Sequence, residues 1–259
     1  MPTGAITGYM DVAQLTLWAF WLFFAGLVFY LRSEDKREGY PLQSDRGPRV
    51  KVQGFPPIPR AKTFRLPHGG TVTAPRKEMP DPVGAATPSG GWPGAPLVPN
   101  GDPMIDGVGP AAYAQREDVP DLTLHGDNRV VPLRVDSTHY LEAEEADPRG
   151  MTVLGNDRQI AGVVTDVWID RSEMLIRYLE VELPASAGPA RHVLLPLPLA
   201  VVHGGRREIT AASVLARHFA TAPTLANPDQ ITKREEDRIS AYFASGHLYA
   251  TPERSEPLI

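Results

Sequence analysis

An uncharged apolar run near the N-terminus constrains this sequence most strongly. Residues 12–31 read VAQLTLWAFWLFFAGLVFYL and contain no charged side chain. As an α-helix the run is about 30 Å long, which matches the hydrocarbon layer of a bilayer. A helix buried in a soluble core normally carries a polar stripe, but only Gln14 and Thr16 interrupt this apolar surface. The sequence therefore predicts a single transmembrane helix at 12–31, preceded by a short segment at 1–11.

The distribution of charge gives this helix an orientation. Residues 1–11 contain no Lys or Arg, whereas a cleaved signal peptide begins with a basic segment, so we expect the helix to remain as an anchor. Residues 32–65 contain nine basic and four acidic side chains. Under the positive-inside rule, the N-terminus then lies outside and the chain after the helix lies in the cytoplasm.

The formal net charge of −5 conceals three different regions. It resolves into −1 for residues 1–31, +5 for 32–65 and −9 for 66–259. We call residues 32–65 the basic collar. Such a collar is expected where a chain meets anionic lipid or the cytoplasmic face of other membrane subunits, although a solvated run of charge is the alternative. The acidic total argues against a nucleic-acid-binding protein, which would carry a basic domain.

Proline and glycine mark the next region as irregular. They make up about 19% of the chain, against roughly 12% in average proteins. Between residues 80 and 110 they account for 15 of 31 positions, so neither helix nor sheet can be continuous there. We predict that residues 32–115 form an extended segment lying on another protein's surface, because a solvated tether rarely carries apolar anchors. A partly disordered linker is the alternative. The anchors are Trp92, Leu97, Val98, Met104 and Ile105.

Residues 116–259 carry the pattern of a globular, mainly β domain. Residues 160–170 and 176–183 are rich in β-forming side chains, and in the second run apolar residues alternate with glutamate. The short connection at 171–173 predicts a hairpin between them. Several short strands at close spacing indicate a small antiparallel barrel or sandwich. The further strands are predicted at 192–197, 199–203 and 206–210.

A helix is predicted near the C-terminus. Thr232 and Glu235 have the spacing of a capping box, which satisfies two free backbone N–H groups at a helix start. Gly246 is predicted to follow the end of this helix. Its apolar face would consist of Ile239, Tyr242 and Phe243.

The sequence carries none of the common catalytic patterns. It has no cysteine, which excludes disulfides, thiolate metal sites and a cysteine nucleophile. It contains no phosphate-binding loop, nucleophile elbow or H-E-x-x-H. The glycines at 107 and 109 lack a preceding strand, and the seven histidines lack the spacing of a helical metal site. We therefore predict a protein that is not an enzyme and binds no cofactor or metal by itself.

Strings along nearly the whole chain resemble one family, the H subunit of the purple-bacterial photosynthetic reaction centre. They occur in the family's order, beginning after the single N-terminal span. The strings are REGYPL at 37–42, KTF at 62–64, LPHGGT at 66–71, GDPM at 101–104, GVGPA at 107–111, DVWIDRSE at 166–173, YLEVE at 178–182, EED at 235–237 and YATP at 249–252.

The resemblance implies a non-pigmented subunit of a photosynthetic complex in the bacterial inner (intracytoplasmic) membrane. Its helix would pack beside the L and M subunits, and its cytoplasmic domain, of PRC-barrel fold, would cap them. Bacteriochlorophyll, bacteriopheophytin, quinones and the non-haem iron would belong to L and M. Light-harvesting 1 antenna polypeptides and membrane lipids would be further partners, with a bound cytochrome subunit left open. The cap would stabilise the quinone sites and relay protons to the secondary quinone.

The resemblance also implies roles for particular side chains. Glu173 stands where family members have a glutamate near the secondary quinone pocket, and it would be the innermost proton relay. Asp170 would be a second relay group, and Arg177 would tune the pKa of Glu173 by charge proximity. On sequence alone, the alternative is that Glu173 is an exposed turn residue.

A loop further toward the N-terminus would provide the proton entrance. His125 matches a histidine that marks this entrance in some relatives, and Asp121 and Asp127 would complete the relay. Those relatives have a second histidine where Asp127 stands and an acid where Thr123 stands, so this entrance differs from theirs. A solvated loop is the alternative reading of these residues.

Two other functions fit parts of the sequence. A membrane-anchored PRC-barrel adaptor unrelated to photosynthesis would share the helix and the β domain, but it would not need the strings quoted above. A membrane-tethered hydrolase using Asp170 and Glu173 as a carboxylate dyad would need a nucleophile or a metal site, and the sequence offers neither.

Overall fold

The chain divides into two compact units. A computed structural model describes residues 4–7, 9–44, 47–75, 85–92, 95–184 and 191–255. One unit contains residues 1–80 and 91–95, and the other contains residues 81–90 and 96–259. Parts of the Pro/Gly-rich stretch, at 80–84 and 93–94, and Arg46 of the basic collar lie outside the described residues.

The first unit begins with the predicted membrane helix. Helix α1 (Val12–Glu34) starts where the apolar run starts, because the Asp11 carboxylate accepts a hydrogen bond from the Gln14 amide at 2.7 Å. It continues three residues beyond the predicted end. None of its residues is buried within the chain. By length and composition, α1 is therefore a candidate membrane span, at the position that the sequence predicts.

Short antiparallel strand pairs interrupt the segment predicted to be extended. Sequence patterns did not reveal these pairs, because each strand has only three to six residues. A two-stranded ribbon consists of edges alone, so it tolerates proline. The pairs are β1 (Leu42–Ser44) with β2 (Gly47–Val52), β3 (Lys62–Arg65) with β4 (Thr71–Ala74), and β5 (Ala86–Pro88) with β6 (Leu97–Pro99).

The predicted apolar anchors have different environments. Met104, in the short helix α2 (Pro103–Asp106), is buried in the core of its own unit, so its assignment as an anchor for another protein is wrong. Trp92, Leu97 and Ile105 are each more than half exposed. These three side chains are available for contact with another surface.

The second unit is a mainly β domain, as predicted. The sheet order is β11-β10-β9-β8-β13-β12, and β7 also pairs with β9. Neighbours are antiparallel except β8 and β13, which run parallel. The strands are β7 (Val130–Pro132), β8 (Thr152–Leu154), β9 (Ile160–Asp170), β10 (Leu175–Glu182), β11 (His192–Pro196), β12 (Ala200–His203) and β13 (Glu208–Ala211).

Strand β9 is the centre of this sheet because it pairs with three other strands. The C-terminal half of β9 is buried, including Trp168. The neighbouring strand β10 contributes the fully buried Leu179. The last residue of β9, Asp170, therefore has a rigid support. This support positions the candidate site.

Helix α3 (Lys233–Tyr249) closes one side of the core. It begins with the predicted capping box, in which Thr232 and Glu235 satisfy each other's backbone N–H groups. Its predicted apolar face is buried. The predicted stop at Gly246 is wrong, because the helix continues to Tyr249. A Cβ atom at 246 would lie 2.6 Å from Val214 Cγ1, so this glycine permits close packing instead.

Candidate functional site

The candidate site lies at the hairpin that joins β9 to β10. Asp170 ends β9, and its Oδ1 atom accepts hydrogen bonds from the amides of Ser172 at 2.9 Å and Glu173 at 3.0 Å. Its backbone carbonyl accepts from the Met174 amide at 2.8 Å. Met174 has a φ of 54°, a left-handed conformation that reverses the chain. The Asp170 side chain thus fixes the turn that carries Glu173.

Arg129 joins three of the surrounding carboxylates. Its Nη2 atom lies 2.9 Å from Asp170 Oδ2 and 2.5 Å from Glu173 Oε1, and its Nη1 atom lies 3.3 Å from Asp121 Oδ2. Nε donates a further bond to Asp170 Oδ1 at 3.1 Å. Such charge-assisted bonds are the strong ones in proteins. We call Arg129, Asp121, Asp170 and Glu173 the Arg129 cluster.

The carboxylates of the Arg129 cluster differ in exposure. The Asp170 side chain is completely buried, whereas the Glu173 side chain is 49% exposed. Burial raises the pKa of Asp170, but hydrogen bonds from Arg129 and from the amides of Glu173 and Ser172 outweigh it and hold the pKa below its ordinary value. Asp170 therefore supplies a fixed negative charge near neutral pH. Glu173 is the most exposed carboxylate of the cluster, followed by Asp121.

Four of the six predicted site residues come together here. Asp121, Asp170 and Glu173 bind Arg129, and the Nε atom of Arg177 lies 3.6 Å from Asp170 Oδ2. Arg177 is thus nearest to Asp170, although its predicted role concerned Glu173. Their roles in proton transfer stay predictions.

The other two predicted residues lie on an exposed loop. His125 and Asp127 are on the turn between the paired residues Leu122 and Asn128. The Asp127 backbone carbonyl accepts from the Thr123 amide at 2.8 Å. Among the described contacts, none joins either side chain to Arg129. The loop follows Asp121 directly, so it lies next to the Arg129 cluster in sequence.

Sequence reasoning missed Arg129 as a site residue. Nothing in its immediate neighbours marks it, since its position depends on the pairing of β7 with β9. That pairing sets Val130 opposite Asp170. Only the strand register brings Arg129 to the end of β9.

A second missed residue is Glu236, on the first turn of α3. The Tyr178 hydroxyl donates to Glu236 Oε2 at 3.1 Å, and burial raises the pKa of Glu236. Glu236 and Arg177 line the same cavity, which has a volume of about 230 Å³. Because Arg177 also approaches Asp170, this cavity adjoins the Arg129 cluster.

A second cluster of charged side chains lies on strands β9 and β10. It lines a larger cavity, of about 750 Å³. Arg134 Nη1 lies 3.2 Å from Asp166 Oδ2 and 2.6 Å from Glu180 Oε2. The Trp168 indole N–H also donates to Glu180 Oε2 at 2.9 Å, and His192 Nδ1 lies 3.1 Å from Oε1. These buried carboxylates are paired, as buried charges must be.

The geometry of the Arg129 cluster does not favour a metal site or a hydrolytic carboxylate dyad. Within the described residues, no group of three or more His, Asp or Glu side chains is arranged to hold a metal. A hydrolytic dyad needs one carboxyl group with a raised pKa. The pKa of Asp170 is lowered instead, and Arg129 binds both Asp170 and Glu173.

Acid is expected to destabilise the β domain because it protonates Asp136. Burial raises the pKa of Asp136, but Arg171 Nε at 2.6 Å and the amides of His139 and Thr138 outweigh it, so its pKa lies well below the ordinary value. The resulting stability is present above about pH 4 and is lost as the pH falls below it. We expect urea unfolding of Asp136→Asn to show a weaker dependence on pH between about 5 and 2 than the parent chain. Equal slopes would contradict this assignment.

Comparison with known families defines the class of the sheet domain first. Residues 142–215, which include β9 and β10, match the PRC-barrel domain. Residues 4–135 match the family described as photosynthetic reaction centre, H-chain N-terminal region, and this match covers just over half of the chain. The chain therefore belongs to the reaction-centre H-chain family. The resemblance seen in the sequence is confirmed, and it disfavours an adaptor unrelated to photosynthesis.

The two matches meet at the candidate site. Asp121 and Arg129 lie in the H-chain match, whereas Asp170, Glu173 and Arg177 lie in the PRC-barrel match. Because it belongs to the H-chain family, the protein is a membrane-located subunit of a photosynthetic complex that contains other subunits. The Arg129 cluster joins side chains from both matched regions.

Proposed function

We propose that this chain caps the cytoplasmic face of the L and M subunits and that Glu173 relays protons toward the secondary quinone. The observation that carries this proposal is Arg129, which holds the half-exposed Glu173 beside the buried Asp170. Such a carboxylate can exchange protons with water at one side and remain ordered at the other. Membership of the H-chain family supplies the context.

The chemistry requires a relay of this kind. Reduction of a quinone to a quinol consumes two electrons and two protons, and protons do not cross dry protein without titratable groups or water. Glu173 would accept a proton at a carboxylate oxygen and pass it inward. Asp170 and Arg129 would set the local potential, because both keep their charge near neutral pH.

The remaining predicted residues would serve the outer part of this route. Asp121 would pass protons to Glu173, since both carboxylates contact Arg129. His125 and Asp127, on the exposed loop, would collect protons from water. Arg177, 3.6 Å from Asp170, would influence Glu173 through that carboxylate.

The surroundings follow from the same proposal. The N-terminus would be periplasmic and the β domain cytoplasmic, in the bacterial inner membrane. The pigments, quinones and non-haem iron would be held by L and M, and this chain would support the quinone sites from outside. Antenna polypeptides of light-harvesting complex 1 and lipids would surround α1.

Glu173→Gln tests the relay in the assembled complex. We expect the proton-coupled second electron transfer to the secondary quinone to slow about tenfold or more, a barrier increase of about 1.4 kcal/mol. Primary charge separation consumes no proton and should not change. Flash spectroscopy measures both steps on one sample, over a range of pH.

Glu182→Gln is the matched control, because Glu182 is an exposed carboxylate at the far end of β10, the strand that follows the turn carrying Glu173. We expect no effect on either step. Normal second electron transfer in Glu173→Gln would remove Glu173 from the route. Purification of the chain from its native membrane without pigment-containing subunits would contradict the proposal as a whole.

A further inference from the structure

A buried lysine fixes a loop close to the end of α1. The Lys36 side chain is only 3% exposed, and its Nζ atom donates to the carbonyl oxygens of Gln53 at 2.7 Å and Pro56 at 2.6 Å. Nζ also lies 5.0 Å from the centroid of the Tyr40 ring, a cation–π contact. A buried ammonium needs such partners. Lys36 therefore ties the loop at residues 53–57 to the chain that follows α1, through the carbonyls of Gln53 and Pro56.

This loop presents a phenyl ring on its outside. Phe55 is 81% exposed, although it lies between the two carbonyl groups that Lys36 binds. Gly54 has a φ of 64°, which allows the sharp turn before it. The Phe55 ring centroid lies 5.7 Å from that of Phe29 in α1. The ring is thus held against the apolar part of the helix.

The position of Phe29 gives the depth of Phe55. Phe29 precedes Arg32, the first charged residue after the apolar run, by three residues, which is about 4.5 Å along a helix. Phe55 therefore lies at the edge of the layer that α1 spans. Tyr30 lies at the same level, with the Lys62 Nζ atom 5.3 Å from its ring centroid. Aromatic rings beside basic groups are typical of a membrane interface.

We propose that residues 53–57 form a second membrane contact, in which the Phe55 ring inserts into the lipid interface beside α1. The partner is a bilayer with anionic headgroups. Charge complementarity supports this partner, because the basic collar has a net charge of +5. A single exposed Phe would need no explanation on a soluble surface. Here a buried lysine orders the loop and the ring adjoins a spanning helix.

Spin labelling can test this contact cleanly, because the chain has no cysteine. Phe55→Cys carries one nitroxide label in the full chain, reconstituted into phosphatidylcholine vesicles with or without phosphatidylglycerol. His68→Cys, in the exposed turn between β3 and β4, is the matched control. Power saturation measures contact with oxygen, which partitions into lipid, and with a water-soluble nickel chelate.

We expect the label at 55 to favour oxygen and the label at 68 to favour nickel, with the difference increasing when phosphatidylglycerol is present. Lys36→Met in the Phe55→Cys chain should move the label toward nickel, because the loop is released. Equal nickel contact at both positions would overturn the proposal. So would loss of contact with both reagents after assembly with the other subunits, since a protein would then cover the loop. Neither outcome depends on the proton route through Glu173.

Discussion

Arg129→Met is expected to lower the free energy of unfolding of the β domain by about 3–5 kcal/mol near neutral pH. Methionine keeps the unbranched apolar stem of the arginine side chain. It removes the cation that pairs with Asp170, whose side chain is completely buried. Breaking a buried ion pair from one side costs this much, because a charge remains without a partner. The nearest remaining cation is Arg177, at 3.6 Å from Asp170 Oδ2. Urea unfolding of the full chain in detergent, followed by circular dichroism, measures the change.

The pH dependence of this variant separates electrostatics from packing. With Arg129 present, the pKa of Asp170 is lowered, so its contribution to stability is lost as the pH falls. Without Arg129, only the two amide hydrogen bonds oppose the effect of burial, so the pKa of Asp170 should be higher than in the parent chain and less stability should be lost as the pH falls. Arg129→Met with Asp170→Asn should restore part of the loss.

Arg206→Met is the matched control for this experiment. The Arg206 side chain is 58% exposed, and its Nε atom lies 3.4 Å from Glu208 Oε2. Exposed pairs of this kind contribute about 0–1 kcal/mol. If both variants lost the same small amount, Arg129 would not be the centre of the site.

Phe243→Ala is expected to destabilise the β domain by about 3–5 kcal/mol, the usual cost of emptying a buried aromatic site. Phe243 is completely buried, and its ring centroid lies 5.4 Å from that of Phe219 and 5.6 Å from that of Tyr242. The contact with Phe219 packs α3 against the 3-10 helix Ala216–Thr221. Urea unfolding measures the loss, and hydrogen exchange should be faster along the amides of α3.

His247→Ala gives the comparison on the same helix. His247 is exposed, so its removal should change the unfolding free energy by no more than about 0.5 kcal/mol. A large effect at His247, or a small one at Phe243, would contradict the packing described for α3. Since Glu236 lies on the first turn of this helix, loosening α3 should also disturb its bond to Tyr178.

Local patterns were sufficient for the elements that local chemistry determines. The apolar run predicted α1, the alternation in 176–183 predicted β10, and the capping box at Thr232 predicted the start of α3. Gly246 was misread because a glycine near a helix end has two uses. It can stop a helix, or it can let a neighbouring segment approach, and only the position of Val214 distinguishes them.

The only site residues that could be predicted from the sequence were those that the family resemblance supplied. It named Asp170, Glu173 and Asp121, but the cation that joins them depends on strand register. The register of β7 against β9 is a long-range contact, and no local spacing near Arg129 encodes it. Glu236 was missed for the same reason, because its contact with Tyr178 joins residues 58 positions apart.

The backbone of Arg129 is held on both sides of its side chain. Its amide donates to the Asp121 carbonyl at 2.8 Å, and its carbonyl accepts from the Arg171 amide at 2.9 Å. The main chain is thereby fixed, and the bonds from Nε and Nη2 to the buried Asp170 restrain the guanidinium itself when Glu173 gains or loses a proton. If Glu173 relays protons as proposed, the arrival of a proton there should involve little reorganisation of the protein, and most of the response should come from the surrounding water.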